Sequence, residues 1–107
     1  MIARIWRSVT PASRADEYLG HLNRTWVPDC KAAEGNRGAF ILQRRQGGQV
    51  QFLLLSLWES LEALARSAGP DIEKTRRYPE GEDFLLAYES LATHYQVLVA
   101  PEHDQPH

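Results

Sequence analysis

Hydrophobic and polar residues follow a pattern that predicts four β-strands. Residues 2–9 are rich in β-branched and aromatic side chains, which favour a first strand. Residues 39–45 and 50–57 predict two more strands, joined by a Gln46-Gly47-Gly48-Gln49 sequence that is typical of a hairpin turn. Residues 91–100 alternate again and predict the fourth strand.

Apolar residues at helical spacing predict two main helices. The first begins after Thr10 or Ser13, and Pro28 is expected to end or kink it. The second covers residues 61–68, with Ser60 or Ser56 as its N-cap. Residues 71–77 predict a further helical turn, and residues 83–89 predict a last short helix. The polar tail, residues 101–107, is expected to be disordered.

This order of elements predicts an α+β fold of the ferredoxin-like β-α-β-β-α-β type, with a four-stranded antiparallel sheet in a single domain of residues 1–100. The third strand is almost continuously apolar between Phe52 and Leu57, which is typical of a strand that is covered on both faces. Helices cover one face of such a sheet. A second copy of the chain is expected to cover the other face, so the sequence predicts a homodimer.

Composition and charge narrow the choice of partners. The chain has 107 residues and a net charge of −2, without the basic stripe of a nucleic-acid-binding protein. The one basic cluster, Lys74, Arg76 and Arg77, predicts a solvated helix face or, less simply, an anion site. The longest apolar run is too short to span a membrane. A single cysteine, Cys30, excludes an internal disulfide, and we expect a cytoplasmic protein without a metal motif.

Four segments of the chain resemble the antibiotic biosynthesis monooxygenase family. They are residues 2–7, 56–63, 77–79 and 94–97, and the most telling is the junction of strand and helix at Trp58. The resemblance implies a dimeric α/β barrel with a cavity between the sheet and helices of each subunit. Some members of that family oxidise phenolic substrates with O₂ and no cofactor, whereas others bind and degrade haem.

The haem-degrading members use an Asn on strand one, a Trp before helix two and a His on helix two. Trp58 matches the Trp, but Trp6 or Arg7 stands near the Asn position and no His lies between Trp58 and Tyr78. Together with the Trp, Tyr, Arg and His residues of the chain, the resemblance therefore implies a cofactor-free enzyme that oxidises a small aromatic or phenolic molecule. A non-catalytic dimer that binds a small apolar molecule, haem included, is the alternative, and a structural domain with a filled cavity is a third interpretation.

Six residues are candidates for the site. His94 is the candidate acid or base because the ordinary pKa of histidine lies near about 6.5. Tyr78 is a candidate donor to a substrate oxygen, and Trp58 a candidate wall of the pocket. Arg4, Trp6 and His21 complete the set as substrate-binding residues, with Arg4 or Arg77 supplying a cation. For the aromatic and histidine residues, an ordinary packing role is the alternative to function, and for Arg4 the alternative is a simple stacked pair with an indole ring.

Overall fold

The computed structural model describes residues 1–75 and 78–101. Arg76 and Arg77 of the predicted basic cluster, and residues 102–107 of the predicted tail, lie outside the described residues. Ten elements follow one another within these described residues. They are β1 (Ile2–Pro11), a 3₁₀ turn (Ala12–Arg14), α1 (Ala15–Arg24), α2 (Trp26–Ala32), β2 (Asn36–Gln46), β3 (Gln49–Trp58), α3 (Leu61–Ala68), α4 (Pro79–Glu82), β4 (Ala87–Tyr88) and β5 (Thr93–Gln96).

The strands form one antiparallel sheet of five strands in the order β2-β3-β1-β4, and β5 also pairs with β1. β4 pairs with β1 at Ser8 and Val9, whereas β5 pairs with residues 2–5 of β1. β4 and β5 therefore share one edge of β1, where the predicted fold has a single fourth strand. The ferredoxin-like α+β fold is confirmed. The predicted strand of residues 91–100 is shortened to β5, Thr93–Gln96, and β4 is an additional fifth strand within the segment predicted as a helix.

The helices cover one face of the sheet and leave the other open. On the covered face, Phe52 and Leu54 of β3 pack with Tyr18 and Leu22 of α1 in the main hydrophobic core. On the open face, Phe40, Leu42 and Tyr95 are each about half exposed, at 51%, 49% and 53%. Because β-strand side chains alternate between faces, the apolar run of β3 supplies both surfaces.

Several local predictions are confirmed. The hairpin joins β2 and β3 at Gly47 and Gly48, and α3 spans residues 61–68 as the pattern indicated. Of the two candidate caps, Ser60 is the N-cap of α3, because its Oγ accepts a hydrogen bond from the Ala63 backbone N–H at 3.1 Å.

Pro28 neither ends nor kinks the first helix. The break falls at Thr25, and Pro28 lies within the first turn of α2, Trp26–Ala32. The first turn of a helix tolerates proline, because its N–H groups have no partner within the helix. α1 therefore ends at Arg24, before the end that the sequence predicts at Pro28.

The predicted helix at residues 83–89 is wrong. α4 ends at Glu82, and the following residues run along the edge of β1 instead. The backbone N–H groups of Leu86 and Glu89 donate to the carbonyl oxygens of Val9 and Arg7, at 2.7 and 3.0 Å. These long-range bonds outweigh the local preference of the segment for helix.

The predicted helical turn at residues 71–77 is a single hydrogen-bonded turn in its described part. Lys74 N–H donates to Asp71 O at 3.2 Å, and Lys74 then forms an isolated antiparallel bridge with Leu91. The Ala92 N–H also donates to Glu73 O at 2.8 Å. The segment is thus fastened to the chain that leads into β5.

Candidate functional site

A cavity of about 480 Å³ lies between the covered face of the sheet and the helices. Its size falls within the range of small-molecule sites in proteins. Its walls come from β1, β3, α1, α2, α3, α4 and the segments around them, and aromatic side chains contribute much of the surface. The aromatic lining residues are Trp6, Tyr18, His21, Trp26, Trp58, Tyr78 and Tyr88.

The two tryptophans predicted as site residues form walls of the cavity, and each donates its indole N–H to another group of the protein. Trp58 is buried at the end of β3, and its indole N–H donates to Ser56 Oγ at 2.9 Å. The indole N–H of Trp6 donates to the carbonyl oxygen of Glu89 at 2.7 Å, and its ring lies 6.0 Å from that of Tyr88. With their polar atoms satisfied, both indoles offer apolar ring surface to a ligand.

Arg4 and its three partners form what we call the Arg4 cluster: Arg4, Ile72, Lys74 and His94. One guanidinium nitrogen of Arg4, Nη1, donates to the carbonyl oxygen of Ile72 and also contacts His94 Nε2 at 2.9 Å. The other, Nη2, donates to the carbonyl oxygen of Lys74 at 2.8 Å. Arg4 thereby fastens the segment that carries Ile72 and Lys74 beside the cavity.

The charge of Arg4 has no carboxylate partner within 4.0 Å among residues 1–75 and 78–101. Burial lowers the pKa of Arg4, and the nearby Cys30 thiol opposes that shift. All three acceptors of the guanidinium are neutral groups. Partly buried cations are usually paired, so this guanidinium favours an anion in the cavity beside it.

His94 lies behind Arg4 and is not among the residues that line the cavity. Since a guanidinium can only donate, His94 Nε2 is the acceptor in this contact, which makes the ring neutral. Burial lowers the pKa of His94, the Arg4 charge lowers it further, and Glu73 opposes both effects. The nitrogen that would accept a substrate proton is therefore already engaged by Arg4.

A second group, which we call the His21 cluster, consists of His21, Tyr18, Tyr78, Gly81 and Phe84. His21 is only 4% exposed, and its Nε2 has no hydrogen-bond partner among the described residues. Its ring lies 6.2 Å from the rings of Tyr18 and Tyr78 and 6.1 Å from that of Phe84. A Cβ atom on Gly81 would lie 2.5 Å from His21 Nε2, so only glycine leaves room for the imidazole there.

Two further polar groups line the cavity beside these clusters. Tyr78 donates its hydroxyl to Asp29 Oδ2, so its oxygen is held at the wall by a carboxylate. Burial, with a smaller effect of Asp29, raises the pKa of the Cys30 thiol to about 11, and Arg4 opposes the shift. At neutral pH the thiol stays protonated and is a poor nucleophile.

The structure brings five of the six predicted site residues to one cavity. They are Arg4, Trp6, His21, Trp58 and Tyr78, and the sixth, His94, contacts Arg4 from outside the lining. Sequence reasoning missed Asp29, Ser56, Gly81 and Tyr88 as lining residues. For Ser56 the alternation along β3 was an available signal, since it shares a face with Trp58. For Gly81 no local signal existed, because its role depends on a histidine sixty residues away.

No family model matches the chain, and no curated protein matches its sequence. Solved structures do match its fold. A Bacillus cereus protein whose name assigns it to the antibiotic biosynthesis monooxygenases is similar at a TM-score of 0.67 and 14% identity, over 98% of each chain. A Nitrosomonas europaea protein of the same name is similar at a TM-score of 0.65 and 14% identity, over 92% of this chain and 100% of that one.

The haem-degrading protein MhuD of Mycobacterium tuberculosis, with two haems in its active site, is also similar. Its TM-score is 0.63 and its identity 20%, over 95% of this chain and 100% of that one. The resemblance that the sequence indicated is therefore confirmed in the fold. At these identities the likeness establishes the architecture and leaves the reaction to be argued from the cavity.

The described histidines do not fit an axial ligand of haem iron in this arrangement. Gly81 covers the Nε2 of His21, and the guanidinium of Arg4 occupies the Nε2 of His94. Iron needs an accessible imidazole nitrogen, thiolate or phenolate from the protein.

The other candidate ligands are also engaged. Cys30 is held as a thiol, the Tyr78 hydroxyl donates to Asp29, and the Tyr18 hydroxyl lies 3.3 Å from Ser8 Oγ. No set of three His, Cys, Asp or Glu side chains within residues 1–75 and 78–101 is arranged to hold a metal ion. In the same part of the chain, no helix has the length and apolar character needed to cross a membrane.

Proposed function

We propose that this protein is a cofactor-independent monooxygenase that oxidises a small aromatic or phenolic molecule with O₂. One observation carries the proposal: an aromatic cavity of about 480 Å³ holds a partly buried guanidinium without a carboxylate partner among the described residues. The fold shared with the monooxygenase-named structures supports it.

The chemistry needs the substrate to become an anion inside the cavity. Loss of a proton leaves an electron pair on the aromatic system, and this electron-rich anion can reduce O₂ directly. With anthrone as a model substrate, one oxygen atom becomes the new carbonyl of anthraquinone, and the other leaves as water with the two hydrogens that the substrate loses. The protein supplies an aromatic-lined cavity and a fixed positive charge where the anion develops.

Each residue then has a definite task. Trp6 and Trp58 bind the aromatic system through their ring surfaces, and Tyr78 bounds the cavity next to the edge of His21. Arg4 stabilises the substrate oxyanion. We propose that His94 acts through Arg4, as a positioning residue that holds the guanidinium toward the cavity, and that it does not touch substrate.

Oxygen consumption with anthrone tests the proposal. Wild-type protein is expected to consume one O₂ per anthrone, and Trp6→Leu is expected to lower the rate by about tenfold, because one aromatic wall is lost. Gln43→Leu, on an exposed position of β2 outside the cavity, is the control and keeps the wild-type rate. Uptake no faster than in buffer, across a panel of anthrones, quinols and phenols, would rule the activity out.

Haem binding is the second candidate, favoured by the shared fold with MhuD and by Trp58 at the junction of β3 and α3. The engaged His94 Nε2, Cys30 thiol and Tyr78 hydroxyl count against it. Titration with haem separates the two functions. A Soret shift that saturates at a fixed ratio of haem to protein favours the haem-binding protein, whereas an unshifted Soret band favours the cofactor-free enzyme.

We further propose that the chain forms a homodimer through the open face of its sheet. The exposed Phe40 and Leu42 of β2 pair with the half-buried Leu55 and Leu53 of β3 on this face, and the exposed Tyr95 lies on the same face beyond β1. Apolar patches of this kind on a sheet usually mark an interface. The single domain of residues 1–100, the tail and the cytoplasmic location stay predictions.

Sedimentation of a charged variant tests the dimer. Leu42→Asp is expected to shift the protein toward monomer, because a carboxylate would be buried in the apolar interface. Gln43→Asp, exposed on the same strand but directed to the other face of the sheet, is the matched control. A wild-type protein that sediments as a monomer at micromolar concentration would overturn the dimer.

A further inference from the structure

The imidazole of His21 is unusual among the polar groups around the cavity. It is 96% buried, since its exposed fraction is 4%, and its Nε2 has no partner among the described residues. Buried polar atoms are normally hydrogen-bonded, and one that is not raises the free energy of the state that contains it. An unsatisfied nitrogen in the wall of a ligand cavity therefore needs an explanation.

The surroundings of His21 show what separates this nitrogen from the cavity. Gly81, the third residue of α4, lies against Nε2 so closely that a Cβ at this position would be 2.5 Å away. α4 is a single turn of four residues, and the residues on its outer side, Glu80 and Asp83, are exposed. An outward shift of α4 would uncover Nε2, and Tyr78 and Phe84, which flank α4 and pack around the His21 ring, would have to move with it.

We infer that His21 is the proton acceptor of the proposed oxidation, and that Gly81 controls access to it. This inference rests on the proposed function. When substrate enters, α4 moves from Nε2, and the acidic hydrogen of the substrate faces the nitrogen in place of the glycine; it is the O–H of a phenol or the methylene C–H of anthrone. The proton then passes to His21 Nε2. The electron pair of the broken bond stays on the substrate, whose oxygen carries the charge as an oxyanion, and O₂ takes electrons from that anion.

The competing groups are less suited to this task. His94 Nε2 accepts from Arg4, and a protonated His94 would face that guanidinium directly. Asp29 already accepts the hydroxyl hydrogen of Tyr78. The Cys30 thiol stays protonated, so it has no lone pair of comparable basicity to offer. Glu82, another lining carboxylate, accepts from the Tyr88 hydroxyl at 3.5 Å. The Nε2 of His21 has no such donor among the described residues.

Binding of p-nitrophenol tests the inference without turnover, because its phenolate absorbs visible light and its phenol does not. Wild-type protein is expected to bind it as phenolate and to keep the proton, so that no matching proton reaches the medium. His21→Gln is expected to bind the probe within about threefold of wild type, with at least a tenfold smaller phenolate fraction. Any phenolate that remains in this variant comes from the Arg4 charge, and its proton goes to the medium.

Gly81→Ala tests access separately. Its methyl group would stand between Nε2 and the ligand, so proton transfer to His21 is expected to slow by at least tenfold. Gly48→Ala is the matched control, because no atom lies within 4 Å of its added Cβ, and it keeps the wild-type rate. If Gly81→Ala does not fold, the His21→Gln result still decides the question.

Two results would overturn the inference. One is a phenolate fraction in His21→Gln equal to that of wild type, and the other is a proton released to the medium for each phenolate that wild type forms. Oxygen uptake distinguishes this failure from failure of the proposed function. If His21→Gln still oxidises anthrone, His21 is not the proton acceptor of the reaction, and the proposed oxygenase function stands. If phenolate formation depends on His21 but no oxygen is consumed, the oxygenase function is refuted and His21 remains a proton acceptor.

Discussion

The Arg4 cluster and the His21 cluster border the same cavity and differ in how their polar atoms are satisfied. Arg4 places its donors on two carbonyl oxygens and an imidazole, and these contacts fasten the segment from Ile72 to Lys74. His21 has a buried nitrogen with no partner among the described residues and a glycine pressed against it. Under the proposed function, this difference corresponds to a division of labour, in which the Arg4 cluster maintains the cavity and the His21 cluster holds the nitrogen that accepts the substrate proton.

The largest expected effect on stability comes from Arg4→Met. The change removes the donors to the carbonyl oxygens of Ile72 and Lys74, and hydrogen bonds from charged groups contribute roughly 1.5–3 kcal/mol each. We expect the free energy of unfolding, measured in urea, to fall by about 3 kcal/mol, with loss of anthrone oxidation. Arg4→Lys keeps the charge but not the fork of donors, so it is expected to lose about half as much stability. An Arg4→Met protein as stable as wild type would contradict the maintaining role.

A smaller effect is expected from His94→Leu, which removes one neutral acceptor of Arg4. The unfolding free energy should fall by about 1 kcal/mol. A double-mutant cycle with Arg4→Met should then show a coupling energy of about 1 kcal/mol, because the two side chains contact each other. Additive effects of the two substitutions would show that the contact does not stabilise the fold.

A substitution at His21 is expected to raise the free energy of unfolding, the opposite of the change expected at Arg4 and His94. His21→Leu removes a buried nitrogen without a described partner, so the free energy of unfolding is expected to rise by up to about 1 kcal/mol, while anthrone oxidation is lost. Calorimetry of His21→Leu beside His94→Leu compares the two clusters directly. A clear loss of stability in His21→Leu would mean that the imidazole is a packing residue.

The smallest expected effect is a dependence of stability on pH through His94. Its pKa in the folded state is lowered by burial and by Arg4, below the ordinary value of about 6.5 in the unfolded chain. The stabilising contribution is therefore fully present above about pH 6.5 and is lost as the pH falls through the folded-state pKa, because the unfolded chain binds the proton more readily. The free energy of unfolding in urea, measured for wild type and His94→Leu from pH 8 to 5, shows the size of this contribution. An equal loss in both proteins would exclude His94 as its source.

Features that depend on residues close to one another in the sequence could be predicted from it. The hairpin at Gly47 and Gly48 and the cap at Ser60 follow from local turn and helix-end chemistry, and the structure contains both. The last helix was predicted wrongly because residues 86–89 bond to the edge of β1, nearly eighty residues away in the sequence. A local pattern contains no information about such a partner.

The candidate site divides in the same way. Trp58 and Arg4 could be predicted as site residues because the family resemblance implied a cavity, and both line the cavity of the structure. The partners of those residues were not. The contact of His94 with Arg4 depends on the register of β5 against β1, and the covering of His21 by Gly81 depends on the position of α4.

The most direct test of the central claim is oxygen consumption by wild-type protein with anthrone, in metal-free buffer without added cofactor. The account predicts one O₂ consumed per anthrone, anthraquinone and water as products, and a rate at least a hundredfold lower in His21→Gln, since general bases typically contribute about 10²–10⁴. Uptake that requires added haem, flavin or metal, or that does not exceed the rate in buffer, would contradict it.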